Sequence, residues 1–129
     1  MNELMEVKKL NSNSKLFEEE FNKLKKFYSF KSEHEVHRFI KLHSGIIILL
    51  KKFEPYLGYY FPNGIFELEF DPDLSGSWFD VLLVNVMVDR KTFNNGCTEH
   101  IDSINREFRP LRKKLDLLGE VLLMEKVNG

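Results

Sequence analysis

Residues 65–88 read IFELEFDPDLSGSWFDVLLVNVMV, and this stretch decides the fold. In its first part, Phe66, Leu68 and Phe70 alternate with Ile65, Glu67 and Glu69. Such alternation is typical of a strand with one buried face. From Trp78 to Val88 almost every residue is apolar, which indicates a central strand that is buried on both faces. A loop that contains proline and glycine separates the two strands, so we expect them to form an antiparallel hairpin.

Helical periodicity flanks this hairpin on both sides. Apolar residues recur at intervals of three and four over residues 14–29, Ser32–His43 and Ile46–Tyr60, which predicts three helices before it. A further helix from Thr98 to Leu118 and a last strand from Glu120 to Val127 follow it. The prediction is an α+β fold in the order α-α-α-β-β-α-β. Its small three-stranded mixed sheet includes a last strand that returns through a helix crossover.

Length and composition bound the class of protein. The 129 residues carry 19 basic and 20 acidic side chains, for a net charge of -1, and 43% of them are hydrophobic. These values are typical of one globular domain, 1–129, in which we leave 1–13 as a flexible segment, a helical turn or a short strand. The near-neutral charge disfavours a general nucleic-acid coat, and no apolar run reaches the ~18 residues of a membrane span. The single Cys97 excludes an intramolecular disulfide framework. We therefore expect a cytoplasmic protein that uses no cofactor and does not bind a membrane.

An acidic strand end is the best candidate for catalysis. Glu67, Glu69 and Asp71 alternate along the strand, so they share one face of it. In the predicted pairing of the two strands, Glu69 lies opposite Asp80. Clustered carboxylates can hold Mg²⁺ or Ca²⁺, or act as an acid–base pair, which would make the protein a metal-dependent hydrolase or nuclease. A solvated strand face that discourages edge aggregation is the simpler interpretation.

A basic segment in the last helix is the candidate for nucleic-acid binding. Its members are Arg106, Arg109, Arg112, Lys113 and Lys114. A cluster of this kind can contact phosphates. No recognised nucleic-acid motif accompanies it, and acidic residues in the same helix dilute its field, so a solvated helix face is the simpler interpretation.

The histidines and the cysteine give weaker signals. His34 and His37 lie one helical turn apart, but Arg38 stands where the zinc-protease motif needs its second histidine. Cys97 and His100 could act as nucleophile and base only if the fold joined them to a third, orienting group. Neither set predicts a catalytic residue.

The predicted strand register favours self-association. If Phe70 pairs with Phe79, one face of the central strand points away from the helices, and it carries Trp78, Leu82, Val84, Val86 and Val88. A two-layer fold would leave these side chains in water, although burying each is worth about 1.5–3 kcal/mol. Either the N-terminal helix or a second copy of the chain must then cover them. We expect the second copy, and hence a two-fold homodimer.

Several stretches follow the pattern of a known family. They are Glu35–Ile40, Leu49–Leu50 leading to Tyr60–Pro62, Phe66–Asp73, Ile101–Phe108 and Val121–Val127, in that order. From about Phe30 to Val127 the chain thereby resembles a family of small uncharacterised prokaryotic proteins. The resemblance implies no catalytic residues. Members of the family resemble partners in small two-gene modules of the toxin–antitoxin kind.

No complete catalytic constellation is evident in the sequence. The leading hypothesis is therefore a non-enzymatic module that acts by binding another protein or a second copy of itself. The metal-dependent enzyme and the nucleic-acid-binding protein are the alternatives.

Overall fold

Ten regular elements and one 3₁₀ turn make up the computed structural model, which describes residues 2–72 and 80–128. In chain order they are α1 Glu3–Ser12, α2 Ser14–Lys23, the 3₁₀ turn Leu24–Lys26, β1 Ser29–Lys31, α3 Glu33–Leu42, α4 Gly45–Tyr60, β2 Ile65–Asp71, β3 Val81–Val88, α5 Arg90–Asn94, α6 Cys97–Lys114 and β4 Val121–Val127. Asparagine side chains begin the first two helices. Asn2 accepts a hydrogen bond from the Met5 amide at 2.9 Å, and Asn13 accepts one from the Leu16 amide at 3.0 Å.

The α+β class is confirmed, but the order of the elements and the number of strands differ from the prediction. The described residues form four strands rather than three, in the order α-α-β-α-α-β-β-α-α-β. The strand that the sequence missed, β1, has only three residues, too few for a two-residue period to be recognised. Residues 3–12, where the sequence left a turn or a strand open, form a helix of ten residues.

The sheet is mixed and its strands follow one another in the order β1-β2-β3-β4. β1 runs parallel to β2, and β4 runs parallel to β3. β2 and β3 are antiparallel. The expected hairpin and the parallel return of the last strand are therefore both confirmed.

The register of the hairpin overturns the predicted interface. Phe70 pairs with Leu82 and not with Phe79, a shift of three residues. Because side chains alternate between the faces of a strand, an odd shift moves every side chain of β3 to the other face. The residues expected at the interface lie in the core instead: Leu82, Val84 and Val86 are fully buried and Val88 is 3% exposed. Trp78 and Phe79 lie outside the described residues.

The error has a physical origin. A run that is apolar on both faces contains no alternation, so the sequence alone does not indicate where the strand begins. In the structure β3 begins at Val81, and Asp80 precedes it without belonging to the sheet.

The inner face of the sheet and the helices share one hydrophobic core. Phe66 and Leu68 of β2 lie beside Val84 of β3 on this face, and all three are buried. Phe53 of α4 is also fully buried, and its ring meets that of Phe108 of α6 edge-on at 4.9 Å. This contact joins the two longest helices above the sheet.

The opposite side of the sheet is here called the outer face. It carries Lys31 of β1, Glu67 and Glu69 of β2, Leu83, Asn85 and Met87 of β3, and Leu122, Met124 and Lys126 of β4. Ile65, at the start of β2, lies on this face too and is 46% exposed.

Within the described ranges no helix is both long and apolar enough to cross a bilayer.

The two faces predict opposite effects of the same substitution. Val84→Lys places a charge in the core and should lower the free energy of unfolding by more than about 4 kcal/mol, so that the chain loses its cooperative transition. Met124→Lys, at a position that is 38% exposed on the outer face, should change it by no more than about 0.5 kcal/mol. Urea denaturation followed by circular dichroism measures both, and a stably folded Val84→Lys variant would contradict the register.

Candidate functional site

A buried amide organises the acidic side of the sheet. Asn85 is fully buried although it lies on the outer face. Its Nδ2 donates hydrogen bonds to Glu67 Oε1 at 3.3 Å and to Glu69 Oε1 at 2.9 Å. The Asn85 Oδ1 atom has no hydrogen-bond partner among the described residues. The two carboxylates therefore converge on one amide group.

Two lysines contact one member of this acidic pair, Glu69. Lys31 Nζ lies 3.2 Å from Glu69 Oε2, and Lys126 Nζ lies 3.7 Å from Glu69 Oε1. The bond from Asn85 is the largest cause of the lowered pKa of Glu69, and the two lysines add to it. Since both ammonium groups contact Glu69, its carboxylate is already engaged and is not free to bind a cation.

The predicted metal cluster is only partly assembled. Glu67, Glu69 and Asp71 share the outer face as expected, but Glu69 lies opposite Leu83, so the prediction that it faces Asp80 is wrong. Across residues 2–72 and 80–128 there is no group of three or more His, Cys, Asp or Glu side chains that could hold a metal ion. In the described residues Glu69 forms ion pairs with two lysines, and Glu67 accepts a hydrogen bond from Asn85.

The basic segment is divided between the surface and the core. Arg106, Arg109 and Lys113 are exposed. Lys114 is engaged by Glu3 of α1, with 2.9 Å between Nζ and Oε1. Arg112, in contrast, is only 6% exposed, so it is not available to a phosphate.

Arg112 has a structural role. Its guanidinium lies over the ring of Phe53 at 5.6 Å and donates hydrogen bonds to the carbonyl oxygen of Val121 and to Asn105 Oδ1. Burial lowers the pKa of this group. Arg112 therefore ties the end of α6 to the start of β4.

The histidine and cysteine candidates are occupied by other contacts. His37 Nε2 lies 2.7 Å from Glu18 Oε1, and the ring packs edge-on against Phe21 at 4.7 Å. The His100 ring lies against the Tyr60 ring, tilted by 30°, with 4.6 Å between their centroids. Cys97 is buried, and burial together with the neighbouring Glu125 carboxylate raises the pKa of its thiol to about 11. The thiol is therefore protonated at neutral pH and is a poor nucleophile.

An apolar groove runs between α4 and α6, and the sequence did not predict it. Its volume is about 510 Å³, and its lining includes Lys52, Pro55 and Tyr56 of α4 and Glu107, Phe108, Pro110 and Leu111 of α6. Pro55 and Tyr56 also line an adjoining hollow of about 280 Å³ together with Tyr59 and Tyr60. Tyr59 is 79% exposed. We call the two hollows together the α4–α6 groove.

The walls of the α4–α6 groove are fixed to each other. The Tyr56 hydroxyl donates a hydrogen bond to Glu107 Oε1 at 3.2 Å, which links the two helices across the groove and raises the pKa of Tyr56. The Tyr56 ring also meets the Phe108 ring at 4.9 Å. The groove is thus part of the folded scaffold and does not depend on a loop.

Both helical prolines line this groove. Proline has no amide hydrogen, so Pro55 leaves the carbonyl of Lys51 without its usual helical donor, and Pro110 does the same to Arg106. The prolines and the tyrosines are visible in the sequence, but only the packing of α4 on α6 shows that they meet.

The chain matches no family model, no curated protein and no solved structure.

The inward position of Arg112 predicts that it contributes to stability. Arg112→Ala removes its stacking on Phe53 and its bond to Val121, and should lower the free energy of unfolding by about 1–3 kcal/mol. Arg109→Ala is the matched control on the exposed side of the same helix and should change it by no more than about 0.5 kcal/mol. Urea denaturation of both variants measures the difference. Equal stabilities would contradict the structural role of Arg112.

The ion pairs of Glu69 predict that its contribution to the free energy of unfolding depends on pH. A carboxylate whose pKa is lower in the folded state stabilises the fold fully above its unfolded value, and this stability is lost as the pH falls through the folded pKa. Glu69→Gln should therefore cost about 1 kcal/mol at pH 7 and clearly less near pH 3. Glu67→Gln is the control, because within the described chain Glu67 shares the bond from Asn85 but has no lysine partner. Urea titrations at both pH values test this, and a loss that is the same at each pH would refute it.

Proposed function

We propose that this chain is a protein-interaction module that binds its partner in the α4–α6 groove. The observation that carries the proposal is the apolar hollow of about 510 Å³ that stays open between α4 and α6. Grooves of this kind between helices are common sites for peptide segments and partner helices.

The exposed aromatic surface supports a protein partner. Tyr59 presents most of its side chain to solvent beside the half-buried Tyr56 and Tyr60. Tyrosine and proline offer apolar area and lose little conformational entropy on binding, and tyrosine is enriched in interface hot spots. The bond between Tyr56 and Glu107 holds the walls in place before a partner arrives, which reduces the ordering cost of association.

A homodimer that pairs the outer faces of two sheets is a less well supported version of the interaction proposal. Ile65 and Met124 expose 46% and 38% of their area on the outer face. Strands of this length, about 4.8 Å apart, give a face of about 400 Å², whereas a stable interface needs about 800 Å² from each partner. The outer face therefore favours self-association only if other surfaces extend the contact.

The two alternatives from the sequence have less support. A metal-dependent hydrolase needs carboxylates that are free to bind a cation, and Lys31 and Lys126 already contact Glu69. Nucleic-acid binding through the basic segment loses Arg112 to the core. We propose further that the chain is one partner in a two-gene module, as its resemblance to prokaryotic proteins suggests.

Hydroxyl-radical footprinting in the native cells tests the proposal. If a partner fills the groove, Tyr59 should be oxidised at least about threefold more slowly in cells than in the purified protein at the same dose, since an interface core excludes water. Met124 and Ile65 are internal controls on the outer face and should react equally in both samples. Mass spectrometry of the digested chain reads all three positions in one experiment.

The other outcomes are also informative. Protection of Met124 and Ile65 without protection of Tyr59 would move the interface to the sheet and overturn the assignment to the groove. If none of the three positions is protected in cells, the interaction proposal is overturned.

A further inference from the structure

The last strand of the sheet, β4, has an unpaired edge. It stands at one end of the strand order, and all seven of its residues pair with β3 without a bulge. No described strand lies on its other side. The strand at the opposite end, β1, has only three residues, and such shortness is a common protection of an edge strand. β4 lacks this protection, and it contains no proline.

Two hydrogen bonds at the ends of β4 show which of its backbone groups point outward. The Leu82 amide donates to the carbonyl oxygen of Glu120 at 2.8 Å, and the Asn128 amide donates to that of Val88 at 2.7 Å. The even-numbered residues of this segment therefore direct their backbone groups at β3. Because the direction alternates along a strand, the odd-numbered residues direct theirs towards the unpaired edge. They are Val121, Leu123, Glu125 and Val127.

One of these outward groups is already engaged. Arg112 donates a hydrogen bond to the carbonyl oxygen of Val121, which agrees with the outward direction of this residue. The outward amides and carbonyls of Leu123, Glu125 and Val127 have no hydrogen-bond partner among the described residues. Backbone groups without a protein partner are left to water, so the edge from Leu123 to Val127 is open to an added strand.

The two charged side chains of β4 do not obstruct this edge. The Glu125 carboxylate accepts a hydrogen bond from the Thr98 hydroxyl at 2.9 Å, which holds it against α6. Lys126 Nζ lies 3.7 Å from Glu69 of β2, so its side chain leans across the sheet and away from the edge. Lysines discourage strand pairing where they project across an edge, and Lys126 does not.

We infer that β4 pairs with β4 of a second copy of this chain, antiparallel and related to it by a two-fold axis at Met124. An open antiparallel edge is complementary to itself, because the two-fold rotation matches each outward donor with an acceptor. In this register Leu123 lies opposite Glu125 of the second copy, and Glu125 lies opposite its Leu123. These two pairs supply four backbone hydrogen bonds, and none of them uses the Val121 carbonyl.

The charges and Arg112 favour this register over its neighbours. With the axis at Met124, Lys126 lies opposite Leu122 of the second copy, so no like charges face each other. An axis at Glu125 would place two carboxylates directly opposite each other, which is destabilising. An axis at Leu123 would bring the Val121 carbonyl, which Arg112 already occupies, into the middle of the pairing.

This contact is separate from the α4–α6 groove, because no residue of β4 lines either hollow. A single strand edge buries less than the ~800 Å² from each partner of a standard interface, so we expect a weak dimer. Light scattering on the purified full chain should show the mass rising from one chain to two as the concentration increases to about 0.5 mM.

A proline at position 125 tests whether the backbone makes the contact. Glu125→Pro removes an outward amide hydrogen and leaves the bonds to β3, to which Glu125 does not contribute. It should weaken the dimer at least about tenfold, since two hydrogen bonds are lost in each dimer. Glu125→Ala is the matched control, because it loses the same bond to Thr98 but keeps the amide, and it should dimerise like the unchanged chain. The urea transition of each variant checks that it is folded.

An introduced cysteine tests the register independently of the proline. Met124→Cys places two thiols at the axis, where the Cα atoms of opposed residues lie about 4.5 Å apart, within the range of a disulfide. Lys126→Cys is the exposed control, because its two copies would lie four residues, or about 13 Å, apart along the strands. Cys97 is buried and stays in both variants. Oxidation with diamide should link Met124→Cys at least about tenfold faster than Lys126→Cys, as measured on non-reducing gels.

Each remaining result decides against the inference. A chain that stays monomeric over the whole concentration range overturns the dimer. Equal dissociation of Glu125→Pro and Glu125→Ala would show that the contact does not depend on the outward amide. A dimer in which the two cysteines link at the same rate would refute the axis at Met124.

Discussion

The antiparallel register of β2 and β3 is the constraint on which the rest of the structure depends. By pairing Leu68 with Val84, it turns the apolar sides of both strands to the same face. A slip of one residue would exchange this face with the one that carries Glu67, Glu69 and Asn85. Helices α4 and α6 then have a single apolar surface on which to pack, and their contact through Phe53 and Phe108 follows from it.

The groove is a consequence of how large those contacting side chains are. The chain contains no alanine and twelve phenylalanines, so its helices meet through bulky rings. The distance between packed helices is set by the side chains at the contact. Because Phe53 and Phe108 fill the space nearest the sheet, the prolines and Tyr56 further out line a hollow instead of closing it. The same composition thus explains both the well-filled core and the open α4–α6 groove.

Hydrogen bonds to and from buried polar groups hold some charged side chains within the fold, so these side chains are not free to bind a ligand. Asn85 draws Glu67 and Glu69 into a network that Lys31 and Lys126 balance. Arg112 is not free either, because its guanidinium donates a hydrogen bond to the carbonyl oxygen of Val121 and lies over the ring of Phe53. Side chains that look like functional clusters in the sequence therefore stabilise the sheet and the end of α6. Arg106, Arg109 and Lys113 of the same helix stay exposed.

The sequence by itself determined the α+β class, the helices α2, α3, α4 and α6, the antiparallel pairing of the hairpin and the parallel return of β4. These features depend on local periodicity and on turn residues such as those around Gly64, which act over a few neighbouring positions. Only the tertiary structure decided which face of β3 packs against the helices, because a strand that is apolar on both sides carries no signal of its register. Contacts between distant residues also decided that Arg112 is internal, that Lys31 and Lys126 neutralise Glu69, and that Pro55 and Pro110 line one groove. Each of these joins segments far apart in the chain, and the spacing of residues along a single segment contains no information about them.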